Sequence, residues 1–299
     1  MENKISVIIP TYLRVESLKR CLGGIFSQSE RPLEIIIVVR DSDKKTITYL
    51  KKIKNIKTLV VSEPGQIIAL NTGLNEAKGE IIAFTDDDSV PEKDWLAKIK
   101  KSFLLGKTIG AVGGRDTVLN KEQLKEEVGL ISLSGRVIGN HHLGFGNARE
   151  VDFLKGVNMA FRKEAIKNLF FETKLRGRGA QIFNDSDFCL KVKKKGWKII
   201  YDPQITVKHF AEKREDVQRG DFDTNLLKEL AYNETYSILK YLGVIRRSFY
   251  FSNSFFVGSR NLPGLFYLPF RIIQDKLAFK RFKYNLSGRF AALRDCIAL

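Results

Sequence analysis

The chain has 299 residues, is 43% hydrophobic and carries a formal net charge of +17 with three cysteines. That is enough for a substantial core, in one large domain or one domain plus an appendage. Cys21, Cys189 and Cys296 are odd in number and widely spaced, which argues against a disulfide framework or zinc ribbon and for a reducing compartment, while the charge points to a polyanionic partner.

The N-terminus runs straight into a strand, with no visible signal peptide. Ser6–Ile9 is a short apolar strand ending at Pro10-Thr11, and Glu16–Phe26 has helical spacing. Glu34–Val39 is a second strand, ending at Arg40-Asp41. Thr46–Ile53 reads as a helix and Thr58–Val61 as a third strand, before the Pro64-Gly65 turn. Gln66–Ala77 reads as a helix. Strands alternating with helices predict a doubly wound, mostly parallel sheet.

Next comes the most informative stretch, the apolar run Ile81–Thr85 followed by Asp86-Asp87-Asp88. The run reads as a buried parallel strand. Three unpaired carboxylates are too costly to bury, so they are expected just past the strand's end, in a crevice or in water. Ligand crevices of open α/β sheets lie at that end. A hard divalent cation that also holds phosphates would offset their repulsion; a solvated acidic turn is the plain alternative.

Further on, Trp95–Leu104 reads as a helix, Ala111–Gly114 as a strand, and residues 120–150 as loops around a short helix. Val151–Leu154 and Asn158–Phe161 read as strands, and Lys163–Leu169 as a helix. Residues 176–179 form a basic loop. Asp185–Lys195 reads as a helix closed by Gly196. Lys198–Tyr201 and Thr206–His209 read as the last strands. Lys213–Asp223 reads as a linker and Leu226–Leu242 as a long amphipathic helix. From Lys240 onward there are eleven Lys/Arg against two Asp, with dense aromatics. No apolar stretch is long enough to span a membrane; Leu262–Ile273 comes closest and carries Arg271. Residues 1–212 are expected to form the catalytic unit. Residues 213–299 are expected to form a helical basic and aromatic region that lies in an anionic membrane interface; packing on the catalytic unit is the alternative.

Six segments carry a family resemblance, in the family's order over residues 5–210. Ser6–Tyr12 resembles the opening strand of family 2 glycosyltransferases, and Glu34–Val39 with Asp41 resembles their second strand. Asn71–Leu74 and Gly79–Asp88 resemble their DxD region. Gly156–Arg162 resembles the "GANMAFRR" segment, Asn184–Leu190 the "EDxDLC" helix start, and Tyr201-Asp202-Pro203 with His209 the "YDP…H" ending. The resemblance implies a GT-A fold: a Rossmann-like, mostly parallel mixed sheet flanked by helices. It also implies a nucleoside-diphosphate sugar donor, UDP-sugar being the commonest, a Mn²⁺ or Mg²⁺ ion and inversion at the anomeric carbon. The acceptor would be a hydroxyl of a glycan or polyprenyl-lipid-linked molecule, at the inner face of the cell membrane.

Carried over residue by residue, the resemblance implies nucleotide contacts from Pro10, Thr11, Tyr12, Arg14, Asp41, Gln66, Asn71, Asp86 and Asp87. Asp86, Asp88 and His209 would hold the metal. Asp185 would be the catalytic base, because it matches the aspartate of the family's acidic pair. Gly156, Asn158, Asn184 and Asp187 would face the acceptor or donor sugar. Two departures stand out: Asn184 replaces a frequent Glu, and Leu70 replaces a frequent Arg. Diphosphate binding then falls to Arg14, Lys155 or the loop of Arg176 and Arg178. A nucleic-acid-binding protein is disfavoured, since no motif of that class appears and the acidic triplet repels phosphate. A nucleotidyltransferase would need a Gly-rich basic loop after the first strand, and Tyr12–Glu16 is not one.

Overall fold

A computed structural model of the chain describes residues 4–117, 123–177, 179–210, 224–259 and 262–297. In order the elements are β1 (Ile5–Thr11), α1 (Val15–Phe26), β2 (Glu34–Arg40), α2 (Lys44–Leu50), β3 (Lys57–Val61), α3 (Gln66–Glu76), β4 (Ile81–Phe84), β5 (Ser89–Pro91), α4 (Trp95–Leu104) and β6 (Ile109–Thr117). There follow β7 (Leu130–Ile131), β8 (Val137–Ile138), β9 (Arg149–Val151), β10 (Met159–Arg162), α5 (Asn184–Lys194) and β11 (Lys198–His209). The C-terminal helices are α6 (Thr224–Tyr241), α7 (Val244–Ser252), α8 (Leu268–Gln274) and α9 (Ala278–Ile297).

The main sheet has the order β3-β2-β1-β4-β10-β6-β11-β5, with β9 also pairing β11. Strands β3, β2, β1 and β4 are parallel, as the alternating pattern predicts. The chain then inserts β10 antiparallel between β4 and β6. Side chains alternate across the sheet, as the period of two demands. Ile8, Ile36, Val38, Ile82 and Phe84 face one core with α3 and α5. Val7, Ile9, Ile37, Val39 and Ala83 face the other, with α1 and α4. In α1, Leu18, Cys21, Leu22 and Ile25 fall at helical spacing and are buried. Each such fully buried aliphatic side chain contributes roughly 1.5–3 kcal/mol.

The C-terminal region enters the same core. Tyr232, Tyr236 and Ile238 of α6, Tyr250 of α7 and Ala292 of α9 are buried in the cluster that holds Ile8 and Phe84. Helix α9 crosses α6 at Gly288, where a Cβ would lie 2.4 Å from the Lys228 carbonyl oxygen. Packing on the catalytic unit, the alternative to interfacial binding, therefore holds for the inner face of this region. Its outer face is apolar and exposed. The expected linker lies outside the described residues.

Several local expectations change. Lys163–Leu169 forms successive turns rather than a helix, because Asn168 adopts φ 59° and tight turns close at Ala165 and Leu169. The expected strand Val151–Leu154 leaves the ladder after Val151, where Asp152 and Phe153 donate to the Gly129 carbonyl. The two expected last strands are one, β11, with a register shift between Asp202 and Thr206 opposite β6. Residues 120–150 include the β7–β8 hairpin.

At that irregularity Gly114 is irreplaceable: a Cβ there would stand 2.0 Å from the Ile205 carbonyl oxygen. Gly23, in α1, has nothing within 4 Å of its would-be Cβ. Gly114→Ala should lower stability by about 1–3 kcal/mol in urea denaturation, whereas Gly23→Ala should raise it by about 0.5–1 kcal/mol.

Candidate active site

The carboxyl ends of β1, β2, β3 and β4 open on one side, where two cavities adjoin. The first is lined by Pro10, Thr11, Tyr12, Arg14, Val38, Arg40, Glu63 and Gln66, among others. The second is lined by Lys155, Gly156, Asn184, Asp185, His209 and Glu234, among others. Gln66 and Asp86 line both, so the two cavities meet at these side chains.

The acidic triplet is not a solvated turn. Asp87 is 0% exposed and Asp88 5%. The expectation that all three lie in crevice or water fails because the fold supplies partners. Arg14, at the start of α1, reaches both: Nη2 is 2.5 Å from Asp87 Oδ1 and Nη1 is 2.8 Å from Asp88 Oδ2. The Thr11 hydroxyl donates to Asp87 at 2.7 Å. Burial still dominates at Asp87 and raises its pKa to about 7, against the pull of Arg14 and Thr11. Asp87 lines neither cavity.

Asp86, Asp88 and His209 come together from β4's end and the last residue of β11. One ligand atom from each lies within 4.8 Å of the others. His209 Nε2 is 3.3 Å from Asp88, and Nδ1 faces Asp116 at 3.5 Å. Burial disfavours a charged ring, but Asp116 and Asp88 outweigh it and raise the His209 pKa to about 9. Two carboxylates plus an imidazole backed by a third carboxylate suit Mn²⁺ or Mg²⁺, so the donor set fits the ion that the resemblance implies. Asp116, at the end of β6, was missed in the sequence, although a carboxylate closing an apolar strand is the signal that marked Asp86. It is 0% exposed and pairs with Lys155. Burial opposes its charge, yet His209 and Lys155 hold its carboxyl below the ordinary value.

Asp185 sits in the first turn of α5 and lines the second cavity. Its Oδ2 accepts the Gly156 N–H at 2.8 Å and its Oδ1 the Ser186 N–H at 2.7 Å. Asn184 donates to the Ala180 carbonyl at 2.9 Å, so its amide shapes the loop before α5. Glu234, from α6, was also missed because it lies beyond the motif segments. It accepts from the Tyr250 hydroxyl at 2.8 Å and from the buried Arg289 at 3.2 Å.

Three expected contacts are turned to structural work, and a fourth, Asp41, lies outside the cavities. Asn71 exchanges two hydrogen bonds with the Phe171 backbone, at 3.0 and 2.8 Å, and lines neither cavity. Asn158 is 1% exposed; it accepts from Trp95 Nε1 at 2.8 Å and donates to the Ile205 carbonyl at 2.9 Å. Asp187 is buried against α6, accepting from the Ser237 hydroxyl at 2.7 Å. Asp41 is exposed outside the cavity linings; its neighbour Arg40 lines the first cavity instead. Arg176 pairs with Asp295 at 2.9 Å, stacks on Tyr232 and lines neither cavity, and Arg178 lies outside the described residues.

Residues 6–170 match the family described as "Glycosyl transferase family 2". The chain is 24% identical over 221 residues to the glucosyl-dolichyl phosphate glucuronosyltransferase of Haloferax volcanii, spanning 69% of each chain. It is 32% identical over 117 residues to glycosyltransferase AglE of the same organism, spanning 37% of this chain and 38% of that one. Among solved structures it resembles the mannosyltransferase PcManGT from Pyrobaculum calidifontis, in complex with GDP-Man and Mn²⁺. The TM-score is 0.57 at 19% identity, covering 97% of this chain and 86% of that one.

Burial pushes Asp187 up to about 6, against Lys191 and Ser237. A carboxyl with a folded pKa above its unfolded one adds stability in full below the unfolded value. That stability is lost as pH rises through the folded value. Relative to Asp187→Asn, the wild type should therefore lose roughly 3 kcal/mol between about pH 4 and pH 7. Urea titrations of both proteins across that range would measure it; a pH-independent difference would contradict it.

Proposed function

The chain belongs to glycosyltransferase family 2, with the family's GT-A fold, and from that premise we propose that it is an inverting transferase. The donor is a nucleoside-diphosphate sugar, and the acceptor a hydroxyl of a glycan or lipid-linked molecule. The observation that carries this reading is the meeting of the two cavities at Gln66 and Asp86. The first has the apolar, aromatic and strand-end lining of a nucleotide cleft. The second holds a carboxylate, Asp185, in the same space as Asp88 and His209.

In this reading Pro10, Thr11, Tyr12 and Gln66 line the nucleotide subsite. Asp86, Asp88 and His209 would hold the Mn²⁺ or Mg²⁺, which when bound offsets charge on the diphosphate. Lys155, 37% exposed at its side chain, is the lysine of the second cavity. Asp185 takes the acceptor hydroxyl's proton as that oxygen bonds to the anomeric carbon. The bond from that carbon to the diphosphate breaks on the opposite face, and its electron pair leaves with the phosphate oxygen. The backbone N–H groups of Gly156 and Ser186 hold Asp185 in place for this role. Gly156 and Asn184 form the wall beside it.

Membrane association belongs to the same proposal. The Haloferax relative is named for a dolichyl phosphate substrate. Among the described residues no helix is long and apolar enough to cross a membrane. Yet Val244, Ile245, Phe249, Phe266, Phe270 and Ile273 are 53–85% exposed. Lys276, Lys280 and Lys283 are exposed in the same region. Apolar side chains interleaved with cations fit the interface of an anionic bilayer.

Asp185→Asn should lower sugar transfer by about 10²–10⁴-fold while retaining nucleotide binding. Product assays over a panel of nucleotide sugars and polyprenyl-phosphate acceptors, with calorimetry of the same variant, test this. Full activity in the variant would sink the base assignment. Separately, the protein should float with phosphatidylglycerol vesicles, less so in high salt and less so as Phe266→Ser/Phe270→Ser. Equal binding to neutral vesicles, or none to anionic ones, would refute the membrane reading.

A further inference from the structure

The first cavity also brings a cation and a carboxylate, Arg40 and Glu63, to the ends of adjacent strands. Arg40 is the last residue of β2 and pairs in register with Val61, the last residue of the parallel strand β3. Glu63 follows two residues later, so both side chains belong to the same end of adjacent strands, and both line the cavity with Tyr12. The Arg40 guanidinium lies over the Tyr12 ring, 5.5 Å from its centroid. Its Nε is buried with no hydrogen-bond partner. Among the described residues no hydrogen bond or ion pair engages the side chain of Arg40 or Glu63, in contrast to Arg14, Lys155 and Arg176, whose side chains are all paired. The apolar part of the lining is Pro10, Val38, Val61, Pro64 and Ala69, a surface suited to a flat ring.

We propose that this cleft selects guanine, so that the donor is a guanosine-diphosphate sugar. This rests on the glycosyltransferase reading above and departs from the UDP-sugar expectation. The argument is one of complementary edges. Guanine presents two adjacent acceptors, O6 and N7, which a guanidinium meets bidentately. On its other side it presents two adjacent donors, N1–H and the N2 amino group. A carboxylate accepts both, having two oxygens and no proton to offer. Uracil has a single N–H between two carbonyls; a carboxylate facing it sets one oxygen against another acceptor. Adenine places a donor beside N7, where a second guanidinium N–H would clash. Guanine alone of the three fills the donors of Arg40 and the acceptors of Glu63 together.

The test is calorimetry of the full chain with Mn²⁺ and GDP, UDP, ADP or inosine diphosphate. GDP should bind about tenfold or more tighter than UDP and ADP, the scale of one good bidentate contact. Inosine diphosphate, which lacks the N2 amino group, should bind more weakly than GDP. That gap should close in Glu63→Gln, and Arg40→Ala should erase most of the preference for GDP over UDP. UDP binding as tight as GDP, or variants that weaken all nucleotides equally, would overturn the guanine assignment and leave the transferase reading standing. No binding by any nucleotide would remove both.

Discussion

One guanidinium, that of Arg14, makes the centre of this protein possible. Two neighbouring carboxylates, Asp87 and Asp88, are withdrawn from water at the end of β4 and share it. An unpaired buried carboxylate costs several kcal/mol, and two side by side repel. The arginine itself is placed by a chain of smaller constraints. Leu13 takes a left-handed φ of 57°, and its N–H donates at 2.6 Å to Asp43. Asp43 in turn caps α2 by accepting from Thr46. The β1–α1 loop is thus tied to the next β–α unit, and Arg14 is held where the triplet needs it.

The triplet divides its labour accordingly. Asp87 faces inward and fixes the strand end to Thr11 and Arg14. Asp86 and Asp88 face the cavities and meet His209, which β11 delivers from more than a hundred residues away. Behind His209 stands Asp116, from the adjacent strand β6. The order of strands, rather than the order of motifs, makes this cluster.

The C-terminal helices complete the site as well as cover the core. Asn233 of α6 accepts the Arg176 N–H at 2.7 Å and donates to the carbonyls of Arg176 and Ile182, both at 2.8 Å. It therefore staples the loop whose Gly179 and Ala180 line the two cavities. At the other end of that loop, Gln181 accepts the Ile67 N–H at the start of α3. Arg289 of α9 reaches through the helix pair to Glu234 and the Tyr250 hydroxyl. A region with no readable catalytic motif contributes a wall of the second cavity. Its outer face, left apolar and basic, is available for a surface of another kind.

Much of this architecture is legible in the amino-acid sequence. Apolar runs mark β1, β2 and β4, and helical spacing marks α1, α4 and α5, because local sterics and the need to bury one face act over a few residues. The same reasoning puts Asp86 at a strand end, and the motif order points to Asp185 and His209 as partners in one site. Which polar groups face the cavities is decided only by tertiary structure. Asn71, Asn158 and Asp187 carry the family's residue types, yet their hydrogen bonds are taken by Phe171, Trp95 and Ser237. Glu234 and the meeting of Arg40 with Glu63 at one cleft are invisible in the sequence for the converse reason. A side chain's chemistry depends on whether distant segments satisfy it, and that is set by strand order and packing, which no local pattern encodes.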